Sequence, residues 1–118
     1  MTTTAQQQLV DRLRHLLAAH APLREVPMFG GRSFMVNGKL LVSAQSGGDL
    51  LVRVDARRRA ELLERPGSRQ AVMGAGRTMG NGWIAVGADS IEGDRDLTFW
   101  LDVALQHNQA VTKGPAER

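Results

Sequence analysis

Met28-Phe29-Gly30-Gly31, running into Arg32-Ser33-Phe34-Met35-Val36-Asn37-Gly38-Lys39, restricts the possible folds of this chain more than any other stretch. A glycine pair set between apolar residues, followed by an alternating run that reverses at Asn-Gly, defines a buried backbone corner feeding a β-hairpin. Glycine tolerates positive φ and close backbone approach, and Asn-Gly is the sequence of a two-residue type I′ turn. Met28, Phe29, Gly30, Gly31, Asn37 and Gly38 are therefore read as a structural motif rather than as ligand-binding residues. The flanking strands are predicted over 32–36 and 39–44. A second turn at Ser46-Gly47-Gly48-Asp49 leads to a third strand over 50–54.

Helical periodicity brackets this sheet. Leu9, Val10, Leu13, Leu16 and Leu17 form the apolar stripe of an amphipathic helix that Pro22 limits. Asp55 is placed to cap a short helix through Ala60, Leu62 and Leu63, ended by Pro66-Gly67. Strands are predicted around Gln70–Met73, with a continuation toward Met79, and over Trp83–Val86. Leu97, Trp100, Leu101, Ala104 and Leu105 then give a closing helix, with Asp94 or Asp96 at its N-terminal cap. The expected order is α-β-β-β-α-β-β-α. It describes an α+β two-layer sandwich with an antiparallel sheet and helices on one face. The domain is expected over residues 5–108, with flexible tails at 1–4 and 109–118.

A chain of 118 residues with 42% hydrophobic residues holds one core and not two. With no cysteine, it has no disulfide, thiolate nucleophile or cysteine-bound metal. No run approaches the roughly 20 apolar residues of a membrane span, and residues 1–8 lack the basic and apolar regions of a signal peptide. The expected location is cytoplasmic. The formal net charge is +3, and Lys39 and Lys113 are the only lysines among its cations. Genome composition is one reading of that arginine bias. The alternative is selection for phosphate or carboxylate recognition, which the guanidinium fork performs better than an ammonium.

No reacting constellation emerges. Gly74-Ala75-Gly76-Arg77-Thr78-Met79-Gly80-Asn81-Gly82 resembles a phosphate loop, but its second gap is one residue too long for G-x-G-x-x-G. A strand follows it, where an anion site needs a helix N-terminus. His15, His20 and His107 are isolated from one another and form no His-x-x-x-His pair. The serines include no nucleophile elbow. Trp83 and Trp100 read as core or interface anchors, since an aromatic content of 4% does not build a base-stacking platform. No catalytic residue, cofactor site or metal site is assigned, and the expectation is a protein without enzymatic activity.

Two surfaces remain as candidates. Arg57, Arg58, Arg59, Arg65 and Arg69 form the densest basic run, a candidate contact for nucleic acid or an acidic partner. On a helix the first three fan through about 200°, which prevents them from sharing one ligand. Strand alternation puts Leu40, Val42 and Ala44 on one face and Leu41 on the other, and Leu51 opposite Leu50, Val52 and Val54. Leu41, Leu51 and Arg53 then mark a candidate homodimer face away from the helices.

Met28-Phe29-Gly30-Gly31, Asn37-Gly38-Lys39-Leu40, Gly48-Asp49-Leu50-Leu51-Val52-Arg53-Val54 and a closing helix with Trp100 and Ala104 occur here in the order found in the TfoX (Sxy) N-terminal domain family. The chain resembles that family from about Leu9 to Asn108, as a stand-alone member without the C-terminal domain of competence regulators. Arg32-Ser33 departs from the aromatic or small residue that the family often places after the glycine pair. The resemblance implies a non-catalytic interaction module with a protein partner, in competence-type or transcriptional regulation. Nucleic-acid binding through the arginines and a small-molecule enzyme with a pocket near Gly30-Gly31 are the alternatives.

Overall fold

The structure, a computed structural model, describes residues 4–19, 23–28, 31–73, 77–78, 80 and 82–113. Its elements are α1 (Thr4–Leu16), β1 (Leu23–Met28), β2 (Gly31–Val36), β3 (Lys39–Ala44), β4 (Leu50–Arg53), α2 (Arg59–Leu62), β5 (Ser68–Gln70), β6 (Val72–Met73), β7 (Arg77–Thr78), β8 (Trp83–Val86) and α3 (Asp94–Lys113). Short 3₁₀ turns at Ser46–Gly48, Ala56–Arg58 and Ala88–Ile91 join them. Among the described residues a six-stranded antiparallel sheet has the order β1-β2-β3-β4-β8-β5. None of the described helices is long and apolar enough to cross a membrane.

The α+β sandwich and its element order stand, with three refinements. First, β1 precedes the hairpin and pairs with β2 from Leu23↔Val36 to Met28↔Gly31. Pro27 conceals this strand in the sequence, because a proline is tolerated only where the ladder lacks a neighbour on that side, as at this sheet edge. Second, the strand expected at Gln70–Met73 is divided at Ala71. β5 joins the main sheet beside β8, whereas β6 pairs with β7 in a separate ribbon. Third, α3 runs on to Lys113, past the tail boundary expected at 108. No glycine or proline interrupts Gln109–Lys113, and the first breakers in the sequence are Gly114-Pro115. Phe29, Gly30 and His20 lie outside the described residues.

The local signals explain the corners. Asn37 and Gly38 have φ of 57° and 75°, the paired positive values of a type I′ turn. Asp55 caps the turn before α2 by accepting a hydrogen bond from the Arg57 backbone N–H at 2.9 Å. Gly31 has a different task from Gly38. A Cβ there would lie 2.3 Å from the Ala44 carbonyl oxygen and 2.9 Å from Gln45 Nε2, so the neighbouring strand occupies the space a side chain needs.

One apolar cluster joins Leu9, Val10, Leu13 and Leu17 of α1 and its following turn to Leu97, Trp100, Leu101 and Ala104 of α3. Phe34, Val42, Val52, Ile84 and Val86 supply its sheet side. The opposite sheet face has a small cluster of Leu51, Ala71 and Trp83, against which Leu40 and Ala85 pack. A β-bulge sets which leucine goes where. Phe34 pairs with Val42 but Met35 with Leu40, so Leu41 is the extra residue on β3. Leu41 thereby joins the helix-side cluster with no exposed surface, and Leu40 takes the other face. Leu40 and Leu41 thus exchange the faces expected from the sequence, whereas Val42 and Ala44 keep theirs.

Candidate functional site

Three central strands converge at one end of the sheet: β3 begins there at Lys39, β4 ends at Arg53 and β8 begins at Trp83. Together with His107, Asn108 and Val111 of α3 they line a cavity of about 530 Å³. That is within the roughly 300–1,000 Å³ in which proteins hold small molecules. Leu40, Trp83 and Val111 give it apolar walls, and Lys39, Arg53 and His107 give it donors and positive charge.

Each wall has a cause in the fold. Arg53 and Trp83 are direct cross-strand partners, and the guanidinium carbon lies 5.5 Å from the indole centroid. This is cation–π distance. Gly82 makes that position possible, since a Cβ on it would fall 2.4 Å from an Arg53 guanidinium nitrogen. Asn108 is buried and bridges α3 to the hairpin. Its Nδ2 donates to the Val36 carbonyl at 2.9 Å, and its Oδ1 accepts from Asn37 Nδ2 at 3.0 Å. These bonds fix the azimuth of α3, which places His107 and Val111, one turn apart, at the same cavity wall.

The electrostatics are one-sided. Lys39 and Arg53 have no carboxylate partner among the described residues. Burial holds the His107 imidazole below its ordinary pKa, and the Arg53 charge adds to the effect against an opposing pull from Asp55. Asp55 is itself engaged by Arg57. Their side-chain and backbone hydrogen bonds bring the Asp55 carboxyl down to about 2.

The other sequence candidates have different environments. The arginine run does not assemble into one free cationic face. Arg57 grips Asp55 at 2.9 Å, Arg58 reaches Glu61 at 3.5 Å and Gln106 at 3.2 Å, and Arg59 donates to the Gln70 side-chain carbonyl. Arg65 stacks 3.6 Å from the Phe99 centroid, and Arg69 pairs with Asp49 at 2.9 Å. Leu41 and Leu51 are 0% and 4% exposed and offer no surface to a second copy. Arg53, the third residue of that set, belongs to the cavity. Trp100 is buried against Phe99 in a T-shaped contact at 5.2 Å, whereas Trp83 walls the cavity. His15 is exposed on α1 beside Asp11, Arg12 and Asp94. Among the described residues no group of three or more His, Asp or Glu is arranged to hold a metal ion.

Sequence reading missed the site because its halves lie far apart in the chain. Asn37 and Asn108 are separated by 71 residues, and nothing in the local pattern links them. The one local signal was Lys39 directly after the Asn-Gly turn, a strand-start cation outside the arginine run.

The fold is an open α+β sandwich with a cationic and apolar cavity at its sheet end. The chain belongs to the TfoX N-terminal domain family, which matches it over residues 15–108. No curated protein and no solved structure matches it.

Proposed function

We propose that this domain is a non-catalytic interaction module that docks a partner protein, in the service of transcriptional regulation, through the surface around the sheet-end cavity. One observation carries the reading. Among the described residues Lys39 and Arg53 are cations without carboxylate partners at the rim of an apolar hollow, while the arginines near α2 already serve the fold. Arg57, Arg58 and Arg69 each stand beside a carboxylate, which lowers the net positive potential that the run presents to an anionic partner. The same argument disfavours nucleic-acid binding through the run. The space beside Gly31 is filled by Ala44 and Gln45, which speaks against a substrate pocket there.

The test is affinity capture with the wild-type domain and with Arg53→Glu and Arg57→Glu variants, followed by mass analysis. Retention of the same species by wild type and Arg57→Glu, with loss in Arg53→Glu, supports the reading. Loss in Arg57→Glu alone moves recognition to the arginine run. A salt-sensitive DNA complex that depends on Arg57 or Arg58 replaces the proposal with the nucleic-acid reading.

A further inference from the structure

We propose that the cavity between Lys39, Arg53, Trp83 and His107 binds a small carboxylic acid with an apolar body, so that the module is ligand-responsive. The inference rests on the sheet-end reading, because the cavity lies inside the surface assigned to the partner.

The chemistry follows from what the walls offer. Arg53 presents a guanidinium fork, the group best matched to a carboxylate, and stacking against Trp83 restricts its orientation. A carboxylate that takes this fork brings its carbon skeleton against the indole, Leu40 and Val111. Lys39 adds a second positive charge from the rim, and His107 adds a ring that gains a proton more readily once an anion stands beside it. Asn108 is held in place, because both ends of its side chain are bonded to the hairpin. The lining therefore selects an anionic head and an apolar tail, and its described residues offer no carboxylate to a cationic ligand.

The topology selects a small molecule over a peptide strand. β3, β4 and β8 are interior strands of the sheet, and the β3–β4 ladder runs from Val42↔Val52 to Ala44↔Leu50. A peptide that docks by adding to a sheet needs a longer unpaired edge than Lys39–Leu41, the part of β3 at the cavity without a β4 partner in the ladder. A half-enclosed hollow of about 530 Å³ suits a compact ligand.

The experiment is a nitrogen-15 NMR titration of the whole chain with phenylacetate, its neutral isostere phenylacetamide, inorganic phosphate and a short peptide with a C-terminal phenylalanine. Saturable shifts of the Trp83 indole N–H and the Leu40 and Arg53 amides with phenylacetate support the proposal. So does affinity for phenylacetamide weaker by roughly tenfold or more, the scale of one charge-assisted contact. Arg53→Gln should weaken phenylacetate by a similar factor, and Arg57→Gln should leave it unchanged. Equal binding of acid and amide overturns the anionic head. Equal binding of phosphate overturns the apolar body, and much tighter binding of the peptide overturns the choice of a free acid. If no probe shifts these resonances while Arg53→Glu still abolishes partner capture, the ligand proposal fails and the docking reading survives. If neither effect occurs, both fail.

Discussion

Gly31 shows how a single missing Cβ fixes the sheet. The Ala44 carbonyl and the Gln45 amide fill the volume that a side chain would take, and Gln45 Nε2 donates to Ser43 Oγ, which in turn accepts from Ser33 Oγ. Gly31→Val must push β2 away from β3 and disturb that buried polar seam. The expected loss is about 1–3 kcal/mol, read as a lower urea midpoint at unchanged m-value; a wild-type midpoint would remove the close-approach requirement. Titration belongs to the same scale. The folded state holds Asp55 near 2 against an ordinary 3.8, so the stability it contributes is complete above 3.8 and disappears as pH falls toward 2. Glu25 is likewise lowered, chiefly by its hydrogen bond from Arg14, and acts in the same direction. His107 is held below 6.5 because folding favours its neutral ring. The unfolded chain therefore binds the extra proton, and stability falls as pH drops below 6.5 through the folded value. Thermal melts should lose stability in two stages on acidification. His107→Gln should remove the first and Asp55→Asn should weaken the second. A single stage indifferent to His107 would contradict this assignment.

Between elements, the join of α3 to the β2–β3 hairpin decides the shape of the cavity. Asn108→Leu removes the side-chain donor to the Val36 carbonyl and releases Asn37, an expected cost of about 1–3 kcal/mol. Asn37→Gly keeps the positive φ of the turn and loses only the bond to Asn108, so it should cost less. The double variant should be less destabilised than the sum of the singles, because both changes remove one shared interaction. Additive losses in denaturant melts would show that the two asparagines act independently. Much of this architecture was legible beforehand, since Asn37-Gly38, the Leu9–Leu17 stripe and the Leu97–Leu105 stripe are local patterns with local causes. What escaped was non-local. The bulge at Leu41 arises from the mismatch of β2 and β3 and flips two leucines without any mark in either strand. β1 was hidden by Pro27, harmless only at an edge that tertiary pairing defines. The cavity requires Asn108 to meet Val36 across the fold, and its cations were overlooked beside the denser run at Arg57–Arg59, whose partners are tertiary as well.

At the scale of the whole molecule, burial of Leu41 and Leu51 removes the apolar sheet face that had suggested a homodimer. The sheet edges also resist self-association. β1 has Pro27 on its length, with Arg14 and Arg32 gathered at Glu25 at 2.7 and 3.7 Å. β5 at the other edge spans three residues, one of them Arg69. Short edges and edges with proline or charge are poor templates for a second sheet. Sedimentation at tens of micromolar should therefore give a monomer, and Leu51→Lys should act on folding rather than on assembly. Leu51 is packed with Ala71 and Trp83, and an ammonium there loses both the apolar contacts and its own hydration. The expected destabilisation is about 2–5 kcal/mol, and the Trp83 wall of the cavity should be disturbed with it. A Leu51→Lys chain with the wild-type melting temperature, or one that turns a dimer into a stable monomer, would return this face to the surface and make self-association the first interaction to consider.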